Sequence, residues 1–325
     1  MAQVNGTVLE PAAAAWVSRA LPQHRITSAE TLGGGYRNAN IRVVTDRGRY
    51  VLRRYRRGGA GAATAERTCA VEAALAARLA AAAVPVAEVI AADPAGAAVG
   101  EPLLLARYAP GIMVSQAIAT DPGSAGQIGA AAGRALASVG SVTFPRGGAF
   151  TGPDLVPSAD DWPGSLPEFA DSCLRAAPAA SALSPDEIGR LRVLAAAADP
   201  LARAVSDARQ LVHSDYNGKN LLAVADGGRW SISAVLDWEF AFSGSPLTDV
   251  GNMLRFRDAH PPGFADGFVA GYRDAGGRLP PRWREISEAL DLYALFDFLT
   301  RPPDHRYFAK AVSALRSLLE RDGPA

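Results

Sequence analysis

One polar loop, with the two apolar runs that follow it, constrains this chain more than any other part of its sequence. The loop reads His213-Ser-Asp215, and Asn220 follows five residues after that aspartate. A short apolar run begins after Asn220, a polar turn interrupts it, and a second apolar run ends at Asp237. Apolar runs of this length on either side of a turn predict a β-hairpin. The sequence therefore predicts a loop and a hairpin, with oxygen-bearing side chains at both ends of the hairpin.

This order of side chains is the one that phosphoryl transfer requires. In that chemistry one aspartate orients and deprotonates a substrate hydroxyl, while an asparagine and a later aspartate hold Mg²⁺ at the nucleotide phosphates. Asp215 fits the first role, and Asn220 and Asp237 fit the other two. Asp and Asn are also ordinary turn residues, because their side chains bond nearby backbone. The apolar flanks favour the catalytic interpretation over a simple turn.

The same segment resembles the aminoglycoside phosphotransferase-like family of small-molecule kinases, which are relatives of protein kinases. The resemblance covers most of the chain and is most specific in its C-terminal part. It is carried by the loop 213–220, by Val235-Leu-Asp-Trp-Glu239, and by Gly244-Ser-Pro-Leu-Thr-Asp249-Val250.

The resemblance implies a role for each matched residue. Asp215 is expected to be the catalytic base, Asn220 and Asp237 the magnesium ligands, and Asp249 a buried acid that braces the catalytic loop. Ser214 stands where the family more often has glycine. The implied fold is α+β and protein-kinase-like, with two lobes, an N-terminal antiparallel sheet plus helix, a mainly helical C-terminal lobe, and the active site in the cleft between them.

A glycine-rich turn interrupts the strands predicted within residues 27–55. Backbone N–H groups in such a turn can approach phosphates, because no side chain intervenes. Glycine runs also mark ordinary hairpin turns. The family's loop reads Gly-Gly-x-x-Asn, so the resemblance implies phosphate binding by Gly33, Gly34, Gly35 and Asn38.

The third predicted strand, Tyr50–Arg53, carries the cation that the phosphates require. Kinases of this family normally use lysine, but only two of the 33 basic residues here are lysines. Arg53 keeps the charge and can grip phosphate through two donors, although its rigid fork is not equivalent to an ammonium. A helix predicted over residues 64–83 places Glu72 where the family's glutamate pairs with this cation, with Glu66 as a second candidate. The alternative is that Arg53 is solvated and the protein is a degenerate kinase.

Two further strands are predicted at Val86–Ala92 and Pro102–Tyr108, followed by a hinge at residues 109–111. The resemblance implies that the nucleotide base meets backbone groups around Ala106 and Tyr108.

Beyond the hinge the pattern becomes helical. The segment Phe144–Pro167 has little periodicity and is predicted to be a long loop. The expected division is a nucleotide-binding N-lobe over residues 1–108 and a C-lobe over residues 109–325 with the catalytic loop, the metal site and acceptor-binding helices. Helices are predicted over residues 125–139, 184–198, 263–275, 282–300 and 306–319.

Two charged residues beside the metal positions have open roles. Lys219 stands where many relatives have glycine, and it could contact the γ-phosphate or the acceptor as a point charge. It is equally consistent with a surface lysine in a turn. Glu239 could order waters on the metal or pair with Lys219, and a local salt bridge is the preferred interpretation.

Composition sets outer limits on function. Of 325 residues 49% are hydrophobic and the formal net charge is zero, which allows sizeable cores and argues against a basic nucleic-acid footprint. Cys69 and Cys173 fit no metal or disulfide spacing. No stretch approaches the roughly 20 apolar residues of a membrane span. We expect a cytoplasmic monomer or homodimer without nucleic-acid or membrane partners.

The expected function is Mg²⁺-dependent phosphorylation of a small-molecule hydroxyl, with ATP or GTP as donor. The expected acceptor is a cationic antibiotic of the aminoglycoside or basic peptide type, which makes resistance or self-protection the biological role. Metabolic kinases acting on choline, homoserine, a sugar or a fructosamine would share every motif. A non-catalytic nucleotide-binding protein is the alternative that Arg53 raises.

A polycationic acceptor requires acidic side chains facing it. Helical spacing places Glu288 and Asp291 on one face, although acids on such helices are usually solvated. The candidate acids are Asp160, Asp161, Asp258, Glu285, Glu288, Asp291 and Asp297.

Overall fold

The computed structural model describes residues 9–33, 38–56, 62–158, 164–256 and 260–321. The chain divides into two compact units. The first takes Met1–Thr120, Phe150–Val156 and Lys219–Ala241, and the second takes Asp121–Ala149, Pro157–Gly218 and Phe242–Ala325. The division expected between residues 108 and 109 stays a prediction.

The first unit is built on a five-stranded antiparallel sheet in the order β1-β2-β3-β5-β4. The predicted strands are confirmed, with ends shifted by a few residues. The strands are β1 (Ile26–Leu32), β2 (Asn38–Thr45), β3 (Gly48–Tyr55), β4 (Val89–Asp93) and β5 (Leu103–Arg107).

Helices cover both faces of this sheet, and strand alternation decides which side chain meets which helix. Leu103 and Leu105 share a core with α1 (Pro11–Ala20), whereas Leu104 and Ala106 share one with α2 (Ala62–Ala81). The helix α1 is not among the predicted elements. The predicted helix α2 is confirmed, and its buried face includes Glu72, Leu75 and Leu79.

The predicted hairpin is confirmed and belongs to the first unit. It consists of β10 (Leu221–Asp226) and β11 (Arg229–Val235), and the short strand β6 (Ile112–Met113) pairs with β10 on the other side. The helix α3 (Val114–Thr120) follows β6.

The second unit is mainly helical around a small sheet, ordered β8-β7-β12-β9. Its strands are β7 (Gly148–Phe150), β8 (Pro157–Ser158), β9 (Gln210–Val212) and β12 (Phe242–Gly244). Its helices are α4 (Ala125–Gly140), α5 (Leu166–Leu174), α6 (Ala177–Ala182), α7 (Pro185–Arg203), α8 (Leu247–Leu254), α9 (Phe264–Asp274), α10 (Trp283–Phe298) and α11 (Arg306–Arg321), with a 3₁₀ turn at Pro122–Ser124.

One prediction for this unit is wrong. The segment Phe144–Pro167 is not simply a long loop, because β7 and β8 lie within it and α5 begins before its end. These strands are two or three residues long, and β7 pairs with β12, about 90 residues further along the chain. Strands this short carry no readable periodicity of their own. The predicted helices are confirmed, and α7 opens with a capping box at Ser184 and Glu187. None of the described helices is long and apolar enough to cross a membrane.

Helices α4 and α9 pack backbone against backbone. A Cβ at Gly133 would overlap the carbonyl of Phe268, and one at Gly271 would overlap the carbonyl of Ala130. Two helices can approach this closely only where both lack side chains, so these glycines are required by volume and not by backbone angle.

Replacing Gly133 with alanine is expected to destabilise the protein by about 1–3 kcal/mol, the usual range for overpacking a rigid interface. The matched control is Gly189→Ala, in the exposed middle of α7, where an added Cβ meets nothing within 4 Å. That change should stabilise by about 0.5–1 kcal/mol, because alanine is the better helix former. Urea denaturation of the three proteins measures both effects, and equal stabilities for Gly133→Ala and wild type would contradict this packing.

Candidate active site

A single arginine gathers three carboxylates in the first unit. Arg53 Nη2 donates a hydrogen bond to Asp237 Oδ1 at 2.6 Å. The same nitrogen lies 3.5 Å from Glu72 Oε1 and 3.8 Å from Glu239 Oε2. The side chain of Arg53 is 14% exposed. The structure thus brings together the predicted cation, its predicted glutamate partner and a predicted metal ligand.

Glu72 is held from the opposite side by Tyr55, whose hydroxyl donates to Glu72 Oε2 at 2.5 Å. Burial raises the pKa of Glu72 to about 7, against the opposing effects of Arg53 and of the Tyr55 hydrogen bond. Arg53 also lies over the Tyr55 ring, 5.1 Å from its centroid. The guanidinium is therefore packed as well as charge-paired.

Glu239 contacts side chains that are distant from it in the sequence, and the local salt bridge preferred from the sequence stays a prediction. Its Oε2 accepts a hydrogen bond from Asn38 Nδ2 at 3.2 Å and faces Arg53. Asn38, predicted to bind phosphate, is thus tied to the same carboxylate cluster. Lys219 is exposed, and its role stays a prediction. Trp238 packs inward and donates through Nε1 to the carbonyl of Val235 at 3.1 Å.

The two predicted metal ligands lie at matching ends of the hairpin. The backbone N–H of Leu236 donates to the carbonyl of Asn220 at 2.8 Å, so Asn220 and Asp237 are neighbours across the strands. Asp237 has a φ of 67° and its side chain is 36% exposed. A non-glycine residue in this left-handed region costs about 1–2 kcal/mol, and such residues cluster at functional sites.

The described residues contain no group of three or more His, Cys, Asp or Glu side chains that could hold a metal. Asn220 and Asp237 instead offer one amide and one carboxylate. Hard oxygen donors of this kind suit Mg²⁺, which usually takes only one or two carboxylates and completes its shell with water and phosphate.

Nucleotide binding by the glycine-rich turn and by the backbone of Ala106 and Tyr108 stays a prediction. A Cβ at Gly33 would meet no described atom within 4 Å, so packing does not require glycine there. Gly34 and Gly35 lie outside the described residues. Ala106 is buried in β5, and the N–H of Tyr108 donates to the carbonyl of Arg49 at 2.9 Å. A nucleotide base could therefore bond to the backbone of Tyr108 by donating a hydrogen bond to its carbonyl, but not by accepting one from its N–H.

In the second unit a buried acid fixes the catalytic loop, as predicted. Asp249, with no exposed surface, lies in the first turn of α8. Its Oδ2 accepts from the backbone N–H of His213 at 2.7 Å, and its Oδ1 accepts from that of Ser214 at 2.8 Å. Ser214 has a φ of 71°, which lies in the left-handed region that favours glycine.

Asp215 is oriented by a neighbour that the sequence analysis missed. Asn217 Nδ2 donates to Asp215 Oδ1 at 2.8 Å and to the Asp215 carbonyl at 3.0 Å. The buried ring of His213 accepts from the Asp215 N–H through Nδ1 at 3.2 Å, so this histidine bonds within the loop. An amide two residues beyond the proposed base is a readable signal for such a contact.

Most of the described candidate acids are already paired with arginines. Arg255 donates to both oxygens of Asp291, at 2.8 and 2.6 Å, and this pair is buried. Asp297 pairs with Arg301 at 2.8 Å, and Glu285 lies 3.6 Å from the exposed Arg282. Glu288 is exposed, so Glu288 and Asp291 do not form the acidic face that helical spacing suggested. Asp160, Asp161 and Asp258 lie outside the described residues.

Comparison with known proteins agrees with these features. The sequence model of the APH phosphotransferase enzyme family matches residues 28–286. None of the curated proteins matches the chain. Among solved structures, aminoglycoside phosphotransferase APH(4)-Ia is similar at a TM-score of 0.68 and 18% identity, over 97% of this chain and 99% of that one. A thermostable mutant of that enzyme, in a ternary complex with ADP and hygromycin B, has a TM-score of 0.64, 18% identity and coverage of 96% and 99%.

The GDP complex of wild-type aminoglycoside 2′-phosphotransferase-IIIa has a TM-score of 0.65 and 14% identity, over 96% of this chain and 98% of that one. At identities this low, structural similarity establishes the fold alone. It confirms the predicted α+β fold.

The free energy of unfolding should depend on pH through the ionisation of the buried Asp249. Burial raises the pKa of Asp249 to about 7, which outweighs its two backbone hydrogen bonds. Because the folded state holds this proton more tightly than the unfolded state, the contribution of Asp249 is greatest below about pH 4 and is lost as the pH rises to about 7. The loss is at most about 1.4 kcal/mol per pH unit.

Asp249→Asn removes this titration and replaces one acceptor oxygen with a donor. We expect it to lower stability at every pH and to flatten the decline between pH 4 and 7. Urea denaturation across that range, compared with wild type, isolates the contribution of Asp249 because other titrating groups are common to both proteins. Parallel pH curves for the two proteins would contradict the assignment.

Proposed function

Because the chain belongs to the phosphotransferase enzyme family, we propose that it transfers the γ-phosphate of a nucleoside triphosphate to a hydroxyl of a small molecule, with Mg²⁺. The observation that carries this proposal is the Arg53 cluster. One buried guanidinium contacts both Glu72 of α2 and Asp237 at the end of the hairpin. A cation on the phosphates, set by a helix glutamate and adjacent to a metal ligand, is what phosphoryl transfer requires.

The first unit supplies the donor half of the reaction. Arg53, positioned by Glu72, is the cation for the phosphates, and Asn220 and Asp237 are the magnesium ligands. Bound Mg²⁺ would neutralise the charge that develops on the phosphates. The backbone of the Gly33–Gly35 turn and Asn38 are proposed to complete phosphate binding, and the backbone of Ala106 and Tyr108 to meet the base.

The second unit supplies the acceptor half. Asp215 is the proposed base, and it accepts the proton of the attacking hydroxyl. Asn217 holds one of its oxygens in place, and Asp249 fixes the backbone that precedes it. Orientation of this kind matters because effective catalysis demands near-attack geometry.

The names of similar structures support a cationic antibiotic as acceptor, and with it a role in resistance or self-protection. Two of these structures are complexes with ADP or GDP, and either nucleotide type is compatible with the proposed base contacts. A second candidate, a metabolic alcohol, is favoured by a specific observation. Asp291 and Asp297 are neutralised by arginines, which leaves less negative charge to attract a polycation.

Asp215→Asn is expected to reduce turnover by about 10²–10⁴-fold, because the amide cannot accept the hydroxyl proton. Nucleotide binding should persist, since Asp215 is proposed to contact the acceptor. Turnover is measured by coupled ADP or GDP release, and nucleotide binding by thermal shift. The matched control is Asp226→Asn in the exposed turn of the hairpin, which should leave turnover unchanged. Loss of nucleotide binding in Asp215→Asn would overturn this assignment.

The charge of the acceptor can be inferred from how its KM changes with ionic strength. The assay is run with aminoglycosides, basic peptide antibiotics and metabolite alcohols, each at low and high ionic strength. A polycationic acceptor predicts a KM that rises several-fold with salt, because screening weakens long-range attraction. A neutral alcohol predicts a KM that salt leaves unchanged. Nucleotide binding without turnover for any acceptor would favour the non-catalytic alternative.

A further inference from the structure

Arg53 is held unevenly by its three carboxylate partners. Among its contacts with these three carboxylates, the short one is the 2.6 Å hydrogen bond to Asp237, while the nearest oxygens of Glu72 and Glu239 lie 3.5 and 3.8 Å away. The buried end of the guanidinium is therefore bound most tightly to the partly exposed carboxylate of the proposed metal site.

Within the part of the chain that the structure describes, two buried atoms of this cluster have no hydrogen-bond partner: Arg53 Nε and Glu72 Oε1. Glu72 Oε1 has only the 3.5 Å ion-pair contact with Arg53 Nη2. A buried donor and a buried acceptor without hydrogen bonds on adjacent side chains are costly, because they have lost their bonds to water. A turn of the guanidinium that joined these two atoms would satisfy both. The side chains thus support a second arrangement, in which Arg53 bonds to Glu72 and leaves Asp237.

The contact with Asp237 also opposes a metal on the same carboxylate. Mg²⁺ binds carboxylate oxygens at about 2.0–2.1 Å, so it would lie close to a guanidinium nitrogen already within 2.6 Å of Asp237 Oδ1. Two cations on one carboxylate repel each other, and water screens that repulsion only in part, because the side chain of Arg53 is 14% exposed and that of Asp237 is 36% exposed. The metal and Arg53 therefore compete for Asp237.

We propose that Arg53 couples the two binding events: its guanidinium closes Asp237 to the metal until nucleotide phosphates draw it away. The inference rests on the proposed function, which makes Asp237 a metal ligand and Arg53 the cation for the phosphates. An arginine suits this exchange because its fork offers several donors in fixed directions, whereas lysine presents a single point charge. Metal and nucleotide then bind with a positive coupling that depends on residue 53.

The test measures binding of Mn²⁺, as a probe for the metal, by electron paramagnetic resonance of the free ion. Full-length wild type is compared with Arg53→Met, with and without saturating ADP. Without ADP, Arg53→Met should bind Mn²⁺ about tenfold more tightly than wild type, within the usual range of coupling between sites. With ADP the ratio of the two affinities should fall to about one. Chelation of Mn²⁺ by ADP in solution affects both proteins equally and cancels in this ratio.

The matched control is Arg54→Met, on the same strand but on its opposite face, where Arg54 pairs with Glu10 and Glu101. This change removes the same charge without touching Asp237, so its Mn²⁺ affinity should equal that of wild type. Circular dichroism verifies folding of each variant. If Arg53→Met does not fold, Arg53→Lys replaces it and should tighten Mn²⁺ binding by a smaller factor.

Equal Mn²⁺ affinities for wild type and the Arg53 variants would overturn the inference, as would an equal gain in Arg54→Met. Asp237→Asn separates this failure from failure of the proposed function. If Asp237→Asn weakens Mn²⁺ binding while the Arg53 variants match wild type, the metal site stands and the coupling is wrong. If Asp237→Asn binds Mn²⁺ as wild type does, Asp237 is not the ligand, and both the proposed metal role and the inference fail.

Discussion

The hydrogen bonds of Asp249 fix the backbone of the loop that carries Asp215, and the proposed acceptor half depends on them. A fully buried acid is tolerated because both of its oxygens accept backbone N–H groups, from His213 and Ser214. Those two bonds hold Ser214 in a left-handed conformation that a serine would otherwise avoid. The direction of the chain into Asp215 follows from that conformation, so a group that touches no substrate determines where the proposed base points.

The proposed donor half, in the first unit, depends on a balance of charges and not on backbone hydrogen bonds. Around Arg53 there are three carboxylates and one guanidinium, so attraction is balanced against desolvation and against repulsion among the acids. Burial and neighbouring negative charge both raise the pKa of Glu72, while Arg53 lowers it. The exchange of partners proposed for Arg53 requires a second arrangement of this cluster. The loop held by Asp249 is fixed, whereas the Arg53 cluster is able to exchange partners.

The features that could be predicted from the sequence are those set by the spacing of residues close together in the chain. The interval from Asp215 to Asn220, the hairpin ending at Asp237, and the inward face of α2 that carries Glu72 all depend on residues close together in the chain. The contact of Glu239 with Asn38 spans 201 positions, and no local pattern encodes it. Asp291 looked like a surface acid for the same reason, because its partner Arg255 lies on a different element of the chain.

The glycine contact between α4 and α9 has a consequence for how such a protein can diverge. Where two helix backbones are in direct contact, a larger residue on one helix cannot be accommodated by a smaller side chain on the other, because the contact is made by backbone atoms. A substitution at Gly133 or Gly271 cannot be rescued by making a neighbour smaller, because the obstructing atom is a carbonyl oxygen. We therefore expect a larger residue at either glycine to be tolerated only if the two helices move apart.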